Sequence, residues 1–206
     1  MVETKRSGST VLGVDLAGST SRPTGMCLLR ENGPCVTWIA YRDSEIVESA
    51  VRHRPRVVAV DAPLSMPKGR RSLDRPEPIH FRQCDLELRQ RRIKFFPITI
   101  GPMRVLTKRG IALKRSLEEL GFIVIEVFPG GAQDVLDLPR KQHGLPKLIR
   151  GLRRHGMKGL ASAVTGDEAD AATCALTGLL YLRGKYEAYG DVSEGQIIMP
   201  RAAQTK

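Results

Sequence analysis

Three apolar runs in this chain end in, or close to, an acid. Val11-Leu12-Gly13-Val14 runs into Asp15, Val57-Val58-Ala59-Val60 runs into Asp61, and Ile123-Val124-Ile125 leads to Glu126. A carboxylate at the end of a buried strand is costly unless it is hydrogen-bonded or binds a cation. In open α/β sheets that edge is also where ligands gather. A further acidic stretch is Gly166-Asp167-Glu168-Ala169-Asp170-Ala171, where Asp167 and Asp170 share one helical face and Glu168 points elsewhere. Each acid has a structural alternative. An acid after a strand can cap the next turn, Thr165 with Glu168 fits a capping box, and Asp167 suits the positive end of a helix. Capping leaves Asp170 without a role. Oxygen-only donor sets suit hard cations such as Mg²⁺ or Mn²⁺, and a phosphodiester is a poor electrophile until its charge is neutralised. Two such metals about 3.5–4 Å apart can activate water and stabilise the leaving oxygen. The chain offers Asp15, Asp61, Glu126, Asp167 and Asp170 for that chemistry.

The elements that must position these acids follow from the pattern around them. Val11–Leu16 reads as a buried first strand, Met26–Leu29 as a second, and Glu31-Asn32-Gly33 as a hairpin turn into a third at Cys35–Tyr41. Ile46, Val47, Ala50 and Val51 have helical spacing, and Arg56–Asp61 returns as a strand covered on both faces. On that helix Glu48 falls opposite the apolar positions and is set aside. Prolines at 63, 67, 76, 78 and 97 interrupt residues 62–100, which read as an inserted basic loop with one helix over Phe81–Arg92. Pro102–Leu120 reads as an amphipathic helix stopped by Gly121 and Phe122–Phe128 as a strand. Residues 145–155 read as a basic helix, Asp167 to about Arg183 as a helix with small residues that allow close packing on a sheet, and Gln196–Met199 as a last strand. The expectation is one domain over residues 1–206, an α/β fold with a mixed five-stranded sheet flanked by helices and a basic insertion after the fourth strand.

Charge adds a partner. The chain has 33 basic and 22 acidic residues among 206, for a net +11, which points to polyanions. Lys68–Arg115 carries 14 Lys and Arg against 4 acids, and Pro139–Leu160 carries seven basic residues and no acid. Taking those +10 and +7 from the total leaves −6 for the rest, so a basic face flanks an acidic one. The alternative is two solvated helical surfaces. Arg70, Arg71, Arg82, Arg89, Arg91, Arg92, Lys94, Lys108 and Arg109 are the candidate nucleic-acid contacts. Aromatics are 5% of the chain, with Phe81, Phe95 and Phe96 in the basic segment, which favours backbone contact over base reading. Cys27, Cys35, Cys84 and Cys174 form no CxxC pair, which argues against a zinc site or a disulfide framework. No apolar run approaches membrane-spanning length, and the first ten residues lack a signal-peptide core, so a cytoplasmic protein is expected.

The ordered motifs resemble a known family. Gly13-Val14-Asp15-Leu16-Ala17, Val60-Asp61-Ala62-Pro63, Arg82-Gln83-Cys84-Asp85, Glu126-Val127-Phe128-Pro129, Gly166–Ala171 and the closing Glu194-Gly195 with Ile197–Pro200 are similar to the predicted nucleases with a ribonuclease H fold, domain-of-unknown-function family 429. The Asp-rich helix also looks like the last catalytic element of Holliday-junction resolvases, which share that fold. The resemblance implies a divalent-metal (Mg²⁺ or Mn²⁺) nuclease whose ligands are Asp15, Asp61, Asp170 and Asp167, with a metal-activated water attacking a phosphodiester and Glu126 in support. Asp61 stands where those resolvases carry a longer glutamate. Two other classes stay open. One is a nucleic-acid-binding protein with an idle site. The other is a phosphotransferase, because Asp15–Thr20 with Thr24-Gly25 resembles the first phosphate loop of the actin and sugar kinase superfamily.

Overall fold

The computed structural model describes residues 8–202; most of the stretch read for a signal peptide, residues 1–7, lies outside the described residues. Strands β1 (Thr10–Asp15), β2 (Thr24–Arg30) and β3 (Cys35–Ala40) form an antiparallel meander. Helix α1 (Asp43–His53) then leads to β4 (Val57–Asp61), which pairs parallel to β1. Helices α2 (Gln83–Gln90) and α3 (Gly101–Glu119) precede β5 (Val124–Val127). Helices α4 (Pro129–Val135), α5 (Leu145–Arg154) and α6 (Gly166–Leu182) follow, and β6 (Tyr186–Tyr189) and β7 (Ile197–Pro200) close the chain. The sheet order is β3-β2-β1-β4-β5-β7-β6.

Among the described residues the sheet has seven strands rather than the five expected, because the last apolar segment joins it as β7 and one further strand enters beside it. The unforeseen strand is β6, a four-residue edge strand whose half-exposed Tyr-Glu-Ala-Tyr lacks an apolar run. Helix α4 also went unforeseen, because Gly130-Gly131 reads as a turn, yet a Cβ at Gly131 would meet Met199 at 2.7 Å. Helix α2 is shorter than the twelve-residue stretch anticipated. It starts after Arg82, which is extended and whose N–H donates to Asp85, and it is followed by Arg92 in the left-handed region at φ 60°.

Strand parity decides which side chains meet. Val11, Val57 and Ala59 face α6 and α5, in a core with Ala171, Ala175 and Leu152. Leu12, Val14, Val58 and Val60 face α1 and α3, in a core with Ile46, Leu113 and Leu117. Helix α6 lies unusually near the sheet because its facing strand positions are glycines. A Cβ added at Gly13 would sit 2.1 Å from the Ala171 carbonyl oxygen, and one at Gly25 would sit 2.1 Å from that of Asp167. Backbone cannot yield as a flexible side chain can. Gly13→Ala is therefore expected to lift α6 from β1 and cost about 3 kcal/mol, read as a lower urea midpoint; an unchanged midpoint would refute the close packing.

Candidate carboxylate site

The parallel register of β1 and β4 sets Asp15 directly beside Asp61. Asp15 shares parity with Val11 and Gly13, and Asp61 with Val57 and Ala59, so both carboxylates leave the sheet edge on the α6 side. The N-terminus of α6 brings Asp167 and Asp170 to the same place. Its start is fixed by the anticipated capping box: Thr165 Oγ1 accepts from the Glu168 N–H at 3.2 Å, and Glu168 accepts from the Thr165 N–H at 2.9 Å. Glu168 also accepts from Thr37 Oγ1 at 2.8 Å, which turns it away from the other acids. Asp170 is buried, and its Oδ1 accepts from Gln133 Nε2 of α4 at 2.7 Å.

Lys141 stands among these carboxylates. It belongs to a single 3-10 turn, Lys141–His143, between α4 and α5. Its Nζ is 2.8 Å from Asp170 Oδ2, 3.1 Å from Asp167 Oδ1 and 3.6 Å from Asp15 Oδ2. One ammonium does not balance the cluster. Burial pushes the Asp15 carboxyl up to about 7, Asp170 and Asp167 add to the rise, and Lys141 opposes it. Asp61 is likewise raised well above the usual carboxylate range, first by burial and then by Asp15 and Asp170. Burial alone would lower the Lys141 ammonium, but Asp170 and Asp15 more than reverse this and hold it above its ordinary value.

Glu126 does not join the four aspartates. It pairs in register with Val60, and its neighbours Ile125 and Val127 face α6, so its side chain leaves on the opposite face from Asp15 and Asp61. There it accepts from Arg82 through Oε2 at 2.7 Å and Oε1 at 2.8 Å, and from the Leu64 N–H at 2.7 Å. The Arg82 guanidinium also donates to Asp85 Oδ1 at 2.9 Å and is 1% exposed. Glu126 is thus anchored in a buried ion triad rather than brought into the aspartate cluster.

The candidate cations divide by burial, and three of them are turned inward. Arg70 is buried and donates to the Ser72, Arg75, Glu77 and Ile79 carbonyls, stapling its own loop. Arg82 is occupied in the triad. Arg109 holds Asp43 at 2.8 Å and the Ala17 and Tyr41 carbonyls at 2.7 Å each. None of the three has a guanidinium free for phosphate. Lys108 is exposed but pairs with Asp74, and Arg91 pairs with Glu187 at 3.2 Å. Arg71, Arg89, Arg92 and Lys94 are exposed, with no acidic partner among the described residues. A cleft of ≈ 240 Å³ runs from Asp61 past Lys94, Phe95, Phe96, Phe128 and Arg140, and Lys94 also lines a neighbouring hollow with Arg89 and Arg92, whereas Arg71 lies apart from both.

Sequence reasoning missed Lys141 and Gln133. Lys141 sits in a run of basic residues with no acid, which reads as a solvated surface, and its partners lie on distant elements. Gln133 follows the Gly-Gly pair that masked α4.

Among the described residues, no three acidic, histidine or cysteine side chains are spaced as they stand to hold a metal ion. The donor chemistry nonetheless fits a hard divalent cation: aspartate oxygens from β1 and α6 surround a point that already attracts a positive charge, and Asp61 of β4 stands in register beside Asp15. No helix of the described residues is long and apolar enough to cross a membrane.

Sheet, flanking helices and acidic strand ends define an α/β protein of ribonuclease H-like fold. Solved structures bear this out. The chain is similar to Thermus thermophilus RuvC, with a TM-score of 0.50, 16% identity, and coverage of 85% of this chain and 96% of that chain. It is similar also to T. thermophilus RuvC in complex with a Holliday junction substrate, with a TM-score of 0.53 at the same identity and coverage. No protein-family model and no curated protein matches the chain.

Proposed function

We propose that this chain is a divalent-metal-dependent nuclease that hydrolyses phosphodiester bonds of nucleic acid. The observation that carries the reading is the meeting of Asp15, Asp61, Asp167 and Asp170 at one sheet edge, with more carboxylate charge than Lys141 balances. The ribonuclease H-like fold supports it, as does likeness to a protein solved on a Holliday junction. The order of the short motifs further supports membership in the predicted nuclease family that they resemble.

In this reading Asp15, Asp61 and Asp170, with Asp167, hold Mg²⁺ or Mn²⁺. A divalent cation held there would supply charge neutralisation for the phosphodiester and a more acidic water as nucleophile. Gln133 fixes the rotamer of Asp170 by donating to its Oδ1, leaving Oδ2 directed into the cluster. Arg89, Arg92 and Lys94 engage backbone phosphates along the approach to Asp61, and Arg71 is a more distant phosphate contact. Phosphate contact makes binding salt-dependent. Arg92→Gln with Lys94→Gln is expected to reduce the log K against log salt slope by about 1 to 2 for duplex DNA, measured by fluorescence anisotropy. An unchanged slope would remove these two cations from the interface.

The direct test is cleavage of a mixed panel of DNA and RNA, linear and branched, with Mg²⁺ or Mn²⁺ against a chelator control. Cation-dependent cleavage supports the reading. Binding without cleavage favours the idle-site alternative, for which the ion-paired Lys141 is the specific support. Stabilisation by nucleotide without nucleic-acid affinity favours a phosphotransferase.

A further inference from the structure

The position of Lys141 is more specific than charge balance requires. An exposed lysine ordinarily takes one partner and keeps its remaining donors in water. Here one Nζ lies within 3.6 Å of carboxylates from three positions on two elements, Asp15 of β1 and Asp167 and Asp170 of α6. The approach is built into the backbone. A Cβ at Gly166 would stand 3.0 Å from Lys141 Cδ, so the first residue of α6 is one that leaves room for the lysine stem. The turn carrying Lys141 is only three residues long and is followed by Gly144 at φ 132°, a conformation that L side chains rarely adopt. No other lysine or arginine of the described residues pairs with any of these aspartates.

An ammonium and a divalent cation cannot share that point. A bound Mg²⁺ needs carboxylate oxygens at about 2.0–2.1 Å, and two cations at the same oxygens repel strongly in a partly buried site. We propose that Lys141 is the resident counter-ion of the carboxylate site and that it and the divalent cation occupy the cluster in turn. This rests on the metal-dependent reading above and adds to it that loading requires Lys141 to swing out on its turn. The lysine holds Asp15, Asp167 and Asp170 together while the metal is away. It thereby sets how tightly the metal is held, because every binding event must displace it.

The test uses the full chain and Mn²⁺, titrated by the loss of the free-ion electron paramagnetic resonance signal, together with thermal melting in chelator. Lys141→Met keeps the stem and removes the charge; Lys141→Ala is the second variant should the first fold poorly. Lys147→Met makes the same charge change at an exposed position of α5 and reports the general effect of lost charge. The Lys141 variants are expected to bind Mn²⁺ about tenfold or more tighter than wild type. They are also expected to melt lower in chelator and to regain more on adding Mn²⁺, while Lys147→Met stays within about twofold of wild type in affinity. Equal or weaker Mn²⁺ binding by both Lys141 variants, or an equal gain in Lys147→Met, overturns the proposal. Tighter Mn²⁺ binding without cleavage of any nucleic acid supports the proposal and sinks the nuclease reading. Cleavage by wild type with no affinity gain in the variants does the reverse, and an absence of Mn²⁺ binding throughout sinks both.

Discussion

Asp15→Asn and Asp61→Asn are each expected to lower nucleic-acid cleavage by at least about a thousandfold, roughly 4 kcal/mol of lost transition-state stabilisation. Asparagine keeps the shape of the side chain and one oxygen but removes the charge that would hold a cation. Stability should move the other way. The Asp15 carboxyl is raised from 3.8 to about 7, so the folded protein holds this proton more tightly than the unfolded chain does. Its contribution is favourable below about pH 4 and is lost as pH rises through about 7. In chelator, Asp15→Asn is therefore expected to melt several degrees above wild type at pH 8 and to match it near pH 4. Opposite signs for activity and stability are what a functional carboxylate predicts and a structural one does not. Cleavage that survives both substitutions would reject the site, and a lower melting temperature for Asp15→Asn at pH 8 would mark its carboxylate as structural.

Arg82→Met is expected to be the most damaging single change to the fold, at about 3–5 kcal/mol. Its guanidinium is buried and donates to both oxygens of Glu126, to both oxygens of Asp85 and to Ser65 Oγ. Removing it leaves two buried carboxylates facing each other without a cation, and backbone N–H groups of Leu64 and Arg82 satisfy them only in part. Lysine cannot reproduce the forked geometry, so Arg82→Lys should recover little. Urea unfolding measures the loss, and a variant within about 1 kcal/mol of wild type would contradict the triad. Glu126→Gln separates structure from chemistry. It should unfold at lower urea yet keep most cleavage when folded; a loss as large as that of Asp15→Asn would return Glu126 to the catalytic set.

Much of this was legible in the chain, for identifiable reasons. Strands β1, β4 and β5 are covered on both faces and so appear as continuous apolar runs, and the acids that interrupt those runs were conspicuous. Asp167 and Asp170 were separable from Glu168 because a helix of known period places them on one face, and the capping box accounted for the remainder. What was not legible depends on pairing between distant segments. The face taken by Glu126 follows from its register opposite Val60, which no local pattern declares. Composition counts Arg70, Arg82 and Arg109 as positive charge, but their burial depends on carbonyls and acids on other loops and helices. The same limit hid Lys141, whose acidic partners are 26 or more residues away in sequence.

Register has one more consequence. Side chains alternate along a strand, so sliding β4 by a single residue past β1 would withdraw Asp61 and present Val60 or Ala62 in its place. A chain folded with that error would lose its aspartate pair along with its packing. If the proposed nuclease reading holds, competence to cut is tied to correct assembly of the central strands, and a misassembled copy would be a harmless one.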